Sequence, residues 1–254
     1  MSAAATLGRR RLPAAVPAAI ALAWAAAVAA HATGLADRFH HHALLAHGTP
    51  GLAGVGGYAL LWSVMVAAMM LPSAVPLLRL FTEVSATQAG RGRLLAGFAG
   101  GYLAVWALFG GAALVFDDVV HRLTHAIGWL GAHPEVVAAG TLGLAGAFQL
   151  STLKDRCLTA CRHPAAYLLR HYRRGHGAAF RLGWGHGLWC LGCCWALMLV
   201  MFAAGVAHLA WMGVLALVMV AEKTFPGGDR LARPIGGGLA VFAVAALLVP
   251  IPGI

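Results

Sequence analysis

Side chains able to do chemistry are densest in the segment His186-Gly-Leu-Trp-Cys190-Leu-Gly-Cys193-Cys194-Trp-Ala-Leu-Met198-Leu-Val-Met201. Read as a helix with His186 at zero, Cys190 falls near about 40°, Cys193 near about −20°, Cys194 near about 80°, Met198 near about 120° and Met201 near about 60°. One stripe therefore holds six soft or borderline donors. Thiolate, thioether and imidazole together suit Cu(I), and zinc can use the thiolates and the imidazole. The same types also serve packing, because cysteine is small and methionine is a flexible filler.

Four further constellations stand out. Met65 and Met69 lie one helical turn apart in Trp62-Ser-Val-Met65-Val-Ala-Ala-Met69-Met70-Leu-Pro72, with Met70 to one side and a proline that can break the helix. The methionine pair can offer two thioethers to one ion, or it can be core. Cys157 and Cys161 are one turn apart in Lys154-Asp-Arg-Cys157-Leu-Thr-Ala-Cys161-Arg-His163-Pro164, where Lys154, Arg156 and Arg162 favour thiolates. They read as a metal or thiol exchange site, or as two ordinary reduced cysteines. His31, His40, His41, His42, His47, His121, His125 and His133 fall on one side of the apolar runs, where a histidine-rich loop can capture metal or simply be solvated. Glu222, beside Lys223, sits near the end of an apolar run, where a carboxylate is costly unless paired or functional. Lys223 is expected to snorkel to the headgroups, and Glu222 to turn inward toward Lys154 or a water-filled gap.

The elements that must position these residues are membrane helices. The chain has 254 residues, 61% hydrophobic and 10% charged, whereas a soluble globule carries roughly 25% charged residues. Apolar runs long enough to span occur at 13–32, 56–80, 94–116, 134–153, 180–204, 207–223 and 232–250. The expectation is an all-α polytopic transmembrane bundle of about seven helices forming a single integral membrane domain. Sixteen of the 18 lysines and arginines fall on one side of these runs, leaving only Arg38 and Arg122 on the other. Basic residues accumulate in cytoplasmic loops, so the amino terminus is expected in the cytoplasm and the carboxy terminus outside, in the plasma membrane. The same topology explains the net charge of +10 without nucleic acid as a partner. Arg9 to Arg11, an alanine-rich run and Ala30-His31-Ala32 also imitate a cleavable signal peptide. Five cysteines in or beside helices do not make a disulfide framework. Glycines such as Gly97 with Gly101, and Gly183, Gly185 and Gly187, let helices approach closely.

With these residues assembled, the chain resembles the metal-binding integral membrane proteins long grouped as a family of unknown function, some described as copper chaperones serving polyphenol oxidases. The resemblance covers about 55–225, a metal-binding core preceded by an N-terminal helix and histidine-rich loop at 1–54. It rests on Trp62 through Pro72, on Gln149 and Lys154 through Pro164, on Gly187 through Met198, and on Glu222-Lys223. It implies copper binding, with a copper-dependent enzyme or soluble copper carrier as partner beside the bilayer. The leading expectation is a Cu(I) chaperone or carrier, not an enzyme, using Met65, Met69, Cys190, Cys193, Cys194 and Met198. No nucleotide-binding signature is present to drive pumping. Alternatives are a thiol-disulfide oxidoreductase using the C-x-x-C pair Cys190 and Cys193, a structural or assembly subunit, or a haem protein using His31, His186 or His208.

Overall fold

The computed structural model describes residues 13–35, 51–203 and 209–248. These fold into helices α1 (Ala15–Ala32), α2 (Leu52–Met69), α3 (Leu71–Val84), α4 (Arg91–Ala126), α5 (Gly128–Ala132), α6 (Pro134–Gln149), α7 (Thr152–Arg162), α8 (Pro164–His171), α9 (His176–Ala203), α10 (Leu209–Thr224) and α11 (Ala232–Leu248). Among the described residues there is no strand. Among the described residues five stretches are long and apolar enough to cross a membrane: Ala15–Ala32, Leu52–Met69, Arg91–Ala126, His176–Met201 and Gly228–Leu248. The pair α6 and α7 makes a sixth if it is counted as one span bent by 64°.

Several expected spans differ in detail. The run 56–80 is two helices, because Pro72 has no N–H to give the Ala68 carbonyl and the ladder breaks at Met70. That carbonyl accepts instead from Trp24 Nε1 of α1 at 3.1 Å. The run 134–153 stops at Gln149. Ser151 then caps a new helix, its side chain accepting from the Lys154 N–H at 3.1 Å, so the chain turns by 64°. The expected loop 154–180 is therefore largely helical, as α7 and α8. The expected sixth span appears as the 16-residue α10.

Helix α9 is the axis of the fold. It packs most extensively on α4, and also on α7, α6 and α10. The α4 crossing is close because neither helix carries a side chain where they touch. A Cβ at Gly101 would collide with the Phe180 carbonyl, and one at Gly183 with the Phe98 carbonyl. On its other side α4 is tied to α2 by Trp62 Nε1 donating to the Trp106 carbonyl at 2.8 Å and Tyr58 Oη to the Gly110 carbonyl at 2.9 Å. With 36 residues α4 is longer than any other helix described. Its length of about 54 Å exceeds a hydrocarbon core of about 30 Å, and His121 and His125 lie in its last two turns.

Candidate metal centre

The sulfur atoms of α9 lie at the centre of the bundle. Cys190, Cys193, Cys194, Met198 and Met201 are all at most 1% exposed, and all five cysteines of the chain are free thiols. Consecutive residues on a helix point about 100° apart, so the thiols divide between two walls.

On the first wall stand Cys190 and Cys194. Cys194 Sγ is 3.8 Å from the thioether sulfur of Met70, and Cys190 Sγ is 3.0 Å from Tyr102 Oη. The Tyr102 hydroxyl also reaches the Met70 carbonyl at 3.3 Å, which Ser73 Oγ shares at 2.8 Å. The break before Pro72 thus places Met70 where side chains of α4 and α9 meet it. Met65 and Met69 are buried in the same core, and Met70, placed to one side by the helical spacing, has its sulfur against Cys194.

On the second wall stands Cys193, whose Sγ is 3.8 Å from Cys161 Sγ of α7. Cys157, one turn before Cys161, packs on Gly192, where a Cβ would come within 2.8 Å of its sulfur. The α7 cysteines therefore join the bundle core, because the bend after Gln149 folds α7 back against α9.

Charged groups enclose the sulfur atoms from α7 and α10. Lys154 Nζ donates to Glu222 Oε2 at 2.6 Å, with side chains 0% and 1% exposed. Gln149 Nε2 donates to Glu222 Oε1 at 2.6 Å, and Arg162 donates to the Glu222 backbone carbonyl and pairs with Asp229 at 3.3 Å. Lys223 departs from the expected snorkel. It turns inward, 6% exposed, and donates to Cys190 Sγ at 3.1 Å, Ser73 Oγ at 3.3 Å and Cys194 Sγ at 3.8 Å. The reason is geometric: Glu222 and Lys223 are adjacent on α10, and while Glu222 faces α7 its neighbour is turned about 100° toward α3 and α9.

His186 lies one turn before Cys190 and is enclosed by aromatic rings, stacked on Tyr102 at 5.9 Å and beside Tyr167 at 5.7 Å and Phe98 at 6.3 Å. Tyr167 donates to the Leu182 carbonyl at 3.1 Å; burial, aided by the nearby Cys161, pushes its phenol up to about 12. Tyr102 and Ser73 were not singled out by sequence. A tyrosine or serine in an apolar helix carries no signal of its own, and both meet the thiols only through tertiary packing.

At the far end of α4, His121 and His125 meet edge to face at 5.1 Å between ring centroids and line a cavity of about 820 Å³ with Asp117 and Thr124. His133 pairs with Glu135 at 2.7 Å, and His31 is exposed. His40, His41, His42, His47 and His208 lie outside the described residues.

The fit to a metal follows from these distances. Among the described residues no three His, Cys, Asp or Glu side chains converge on one point. The close donors are sulfur pairs, each 3.8 Å apart. With metal–sulfur bonds of about 2.3 Å, two ligands of a trigonal or tetrahedral centre stand roughly 3.8–4.0 Å apart. Each pair can share one soft ion without moving apart. Thiolate and thioether select Cu(I) from among the first-row metals, and thioether is a poor partner for zinc.

No curated protein and no solved structure matches the chain. A family model described as PpoB2, copper chaperone, matches residues 59–246, extending past the expected core to include α11. That stretch holds every sulfur and charged residue of the two walls, and the chain belongs to the PpoB2 copper chaperone family.

Proposed function

We propose that the protein is an integral membrane Cu(I) chaperone or carrier of the plasma membrane, holding the ion on the α9 thiols and delivering it to a copper-dependent enzyme or soluble carrier. The observation that carries this reading is the buried sulfur cluster, in which Met70, Cys190 and Cys194 form one wall and Cys161 and Cys193 the other. A buried, sulfur-rich interior suits Cu(I) and keeps it from the water in which the hydrated ion disproportionates. Copper is cargo here, and no catalytic role is assigned to the chain. The apolar helices support embedding in a bilayer, and the division of basic residues supports a cytoplasmic amino terminus with the carboxy terminus outside.

The thiol-disulfide reading is disfavoured by position. Cys190 and Cys193 are at most 1% exposed and meet different groups, Lys223 and Tyr102 at Cys190 and Cys161 at Cys193, so the C-x-x-C pair is not presented as an exposed dithiol to an exchange partner.

The test is simultaneous replacement of Cys190, Cys193 and Cys194 by serine. Serine keeps the small volume and can donate to the carbonyl one turn earlier, as Cys194 does to Cys190 at 2.8 Å, so membrane insertion is expected to survive while stoichiometric Cu(I) binding is lost. Full copper occupancy in the inserted variant would sink the assignment.

A further inference from the structure

Lys223 brings a positive charge to the thiols that no carboxylate balances. Glu222, its neighbour in sequence, is engaged by Lys154 at 2.6 Å and Gln149 at 2.6 Å. Among the described residues no carboxylate forms an ion pair with Lys223. Its ammonium donates instead to two sulfurs and a hydroxyl, Cys190 at 3.1 Å, Cys194 at 3.8 Å and Ser73 at 3.3 Å. A buried ammonium without a carboxylate partner is costly unless the groups around it supply the negative charge, and here those groups are the sulfur ligands.

We propose that Lys223 is the charge-selecting residue of the sulfur site, making it prefer a soft monovalent cation over a divalent one. This rests on the metal reading above and adds the basis of its selectivity. When one monovalent ion replaces the thiol protons of Cys190 and Cys194, both protons leave to water and the bis-thiolate complex carries one net negative charge. Lys223 balances it, and the interior becomes neutral. A divalent ion bound in the same way gives a neutral complex and leaves the ammonium uncompensated. Met70 completes the first wall with a thioether, which adds a soft donor and no charge. The ligand types favour soft ions, and the lysine discriminates by charge among them. A unit charge about 5 Å away at an effective dielectric of about 20 is worth on the order of a hundredfold in binding.

The experiment uses the full-length protein in detergent, stripped of metal under anaerobic conditions, with Ag(I) as a redox-inert monovalent probe and Zn(II) as the divalent one. Affinities are read by equilibrium dialysis and metal analysis. Lys223→Met is expected to weaken Ag(I) on the order of a hundredfold and to leave Zn(II) within a few-fold, while Lys223→Arg keeps the original ratio. Thermal unfolding is a second readout: Lys223→Met should be more stable than the parent without metal and gain less on adding Ag(I). Ser73→Asp gives an independent variant, since a carboxylate there neutralises Lys223 within the fold and should shift the ratio in the same direction. An unchanged Ag(I)-to-Zn(II) ratio in Ser73→Asp overturns the proposal even if Lys223→Met fails to fold, and so does equal weakening of both ions in Lys223→Met. If the parent protein binds neither ion, the metal reading falls and this inference with it. If it binds Ag(I) through the α9 cysteines at an unaltered ratio in the lysine variants, only the charge selection falls.

Discussion

Replacing Glu222 by glutamine tests how dry the interior around the sulfur atoms is. Lys154 and Glu222 meet at 2.6 Å with side chains 0% and 1% exposed, so neither can recruit water when its partner is removed. Removing one member of such a pair costs about 3–5 kcal/mol, because the charge left behind stays buried. Glutamine keeps the shape and one carbonyl acceptor for Lys154 Nζ, which puts Glu222→Gln toward the lower end, about 3 kcal/mol. Removing both charges is different: Lys154→Met with Glu222→Leu should be close to neutral, or more stable by about 1–4 kcal/mol. Unfolding of the purified protein in detergent, followed by tryptophan fluorescence, measures both. The pair also ties α7 to α10, and α7 carries Cys161 opposite Cys193. Cu(I) affinity should therefore fall in Glu222→Gln and recover in the double variant. A loss below about 1 kcal/mol in Glu222→Gln, the range of an exposed ion pair, would refute the reasoning, as would a double variant less stable than the single one.

Two further outcomes are expected. Met70→Leu should lower Cu(I) affinity more than Met69→Leu, since Met70 has its sulfur 3.8 Å from Cys194; competition with a chromogenic Cu(I) chelator checks this, and equal effects would mean that Met70 is only core. In intact cells, a cysteine placed at Arg173 should resist a membrane-impermeant maleimide applied from outside, because the proposed orientation, which rests on the division of basic residues, has that segment in the cytoplasm; external labelling would reverse that orientation.

The sequence was most legible where one helix carries the information. The α9 stripe follows from 3.6-residue periodicity alone, and the cost of an intramembrane carboxylate pointed from Glu222 to Lys154, which the fold places 2.6 Å apart. Legibility failed where two elements decide together. Lys223 was expected at the headgroups because a lysine near a helix end usually has a path to water. That path is lost when its neighbour Glu222 fixes the rotation of α10. Spacing favoured Met65 and Met69, since a regular helix aligns residues four apart. The irregularity at Pro72 brings Met70, which that spacing sets to one side, within 3.8 Å of Cys194, a contact that spacing does not encode. Cys157 and Cys161 read as a separate site because nothing in their spacing encodes the 64° bend that carries α7 to α9. Tyr102 is 88 residues from Cys190, and no local pattern links them.

If copper is the cargo, the division of adjacent thiols between two walls would also set a direction of travel. Cys193 and Cys194 differ by about 1.5 Å along the helix axis but by about 100° around it. An ion handed from the Met70 and Cys194 wall to the Cys193 and Cys161 wall moves sideways around α9, parallel to the plane of the bilayer, and gains almost no depth. Depth must come from other rungs. Met198 and Met201 continue along α9 from the thiols, and each successive helical turn advances about 5.4 Å. On the proposed function the cluster would act as a turntable between neighbouring compartments of the bundle, with the vertical part of any route left to the methionines.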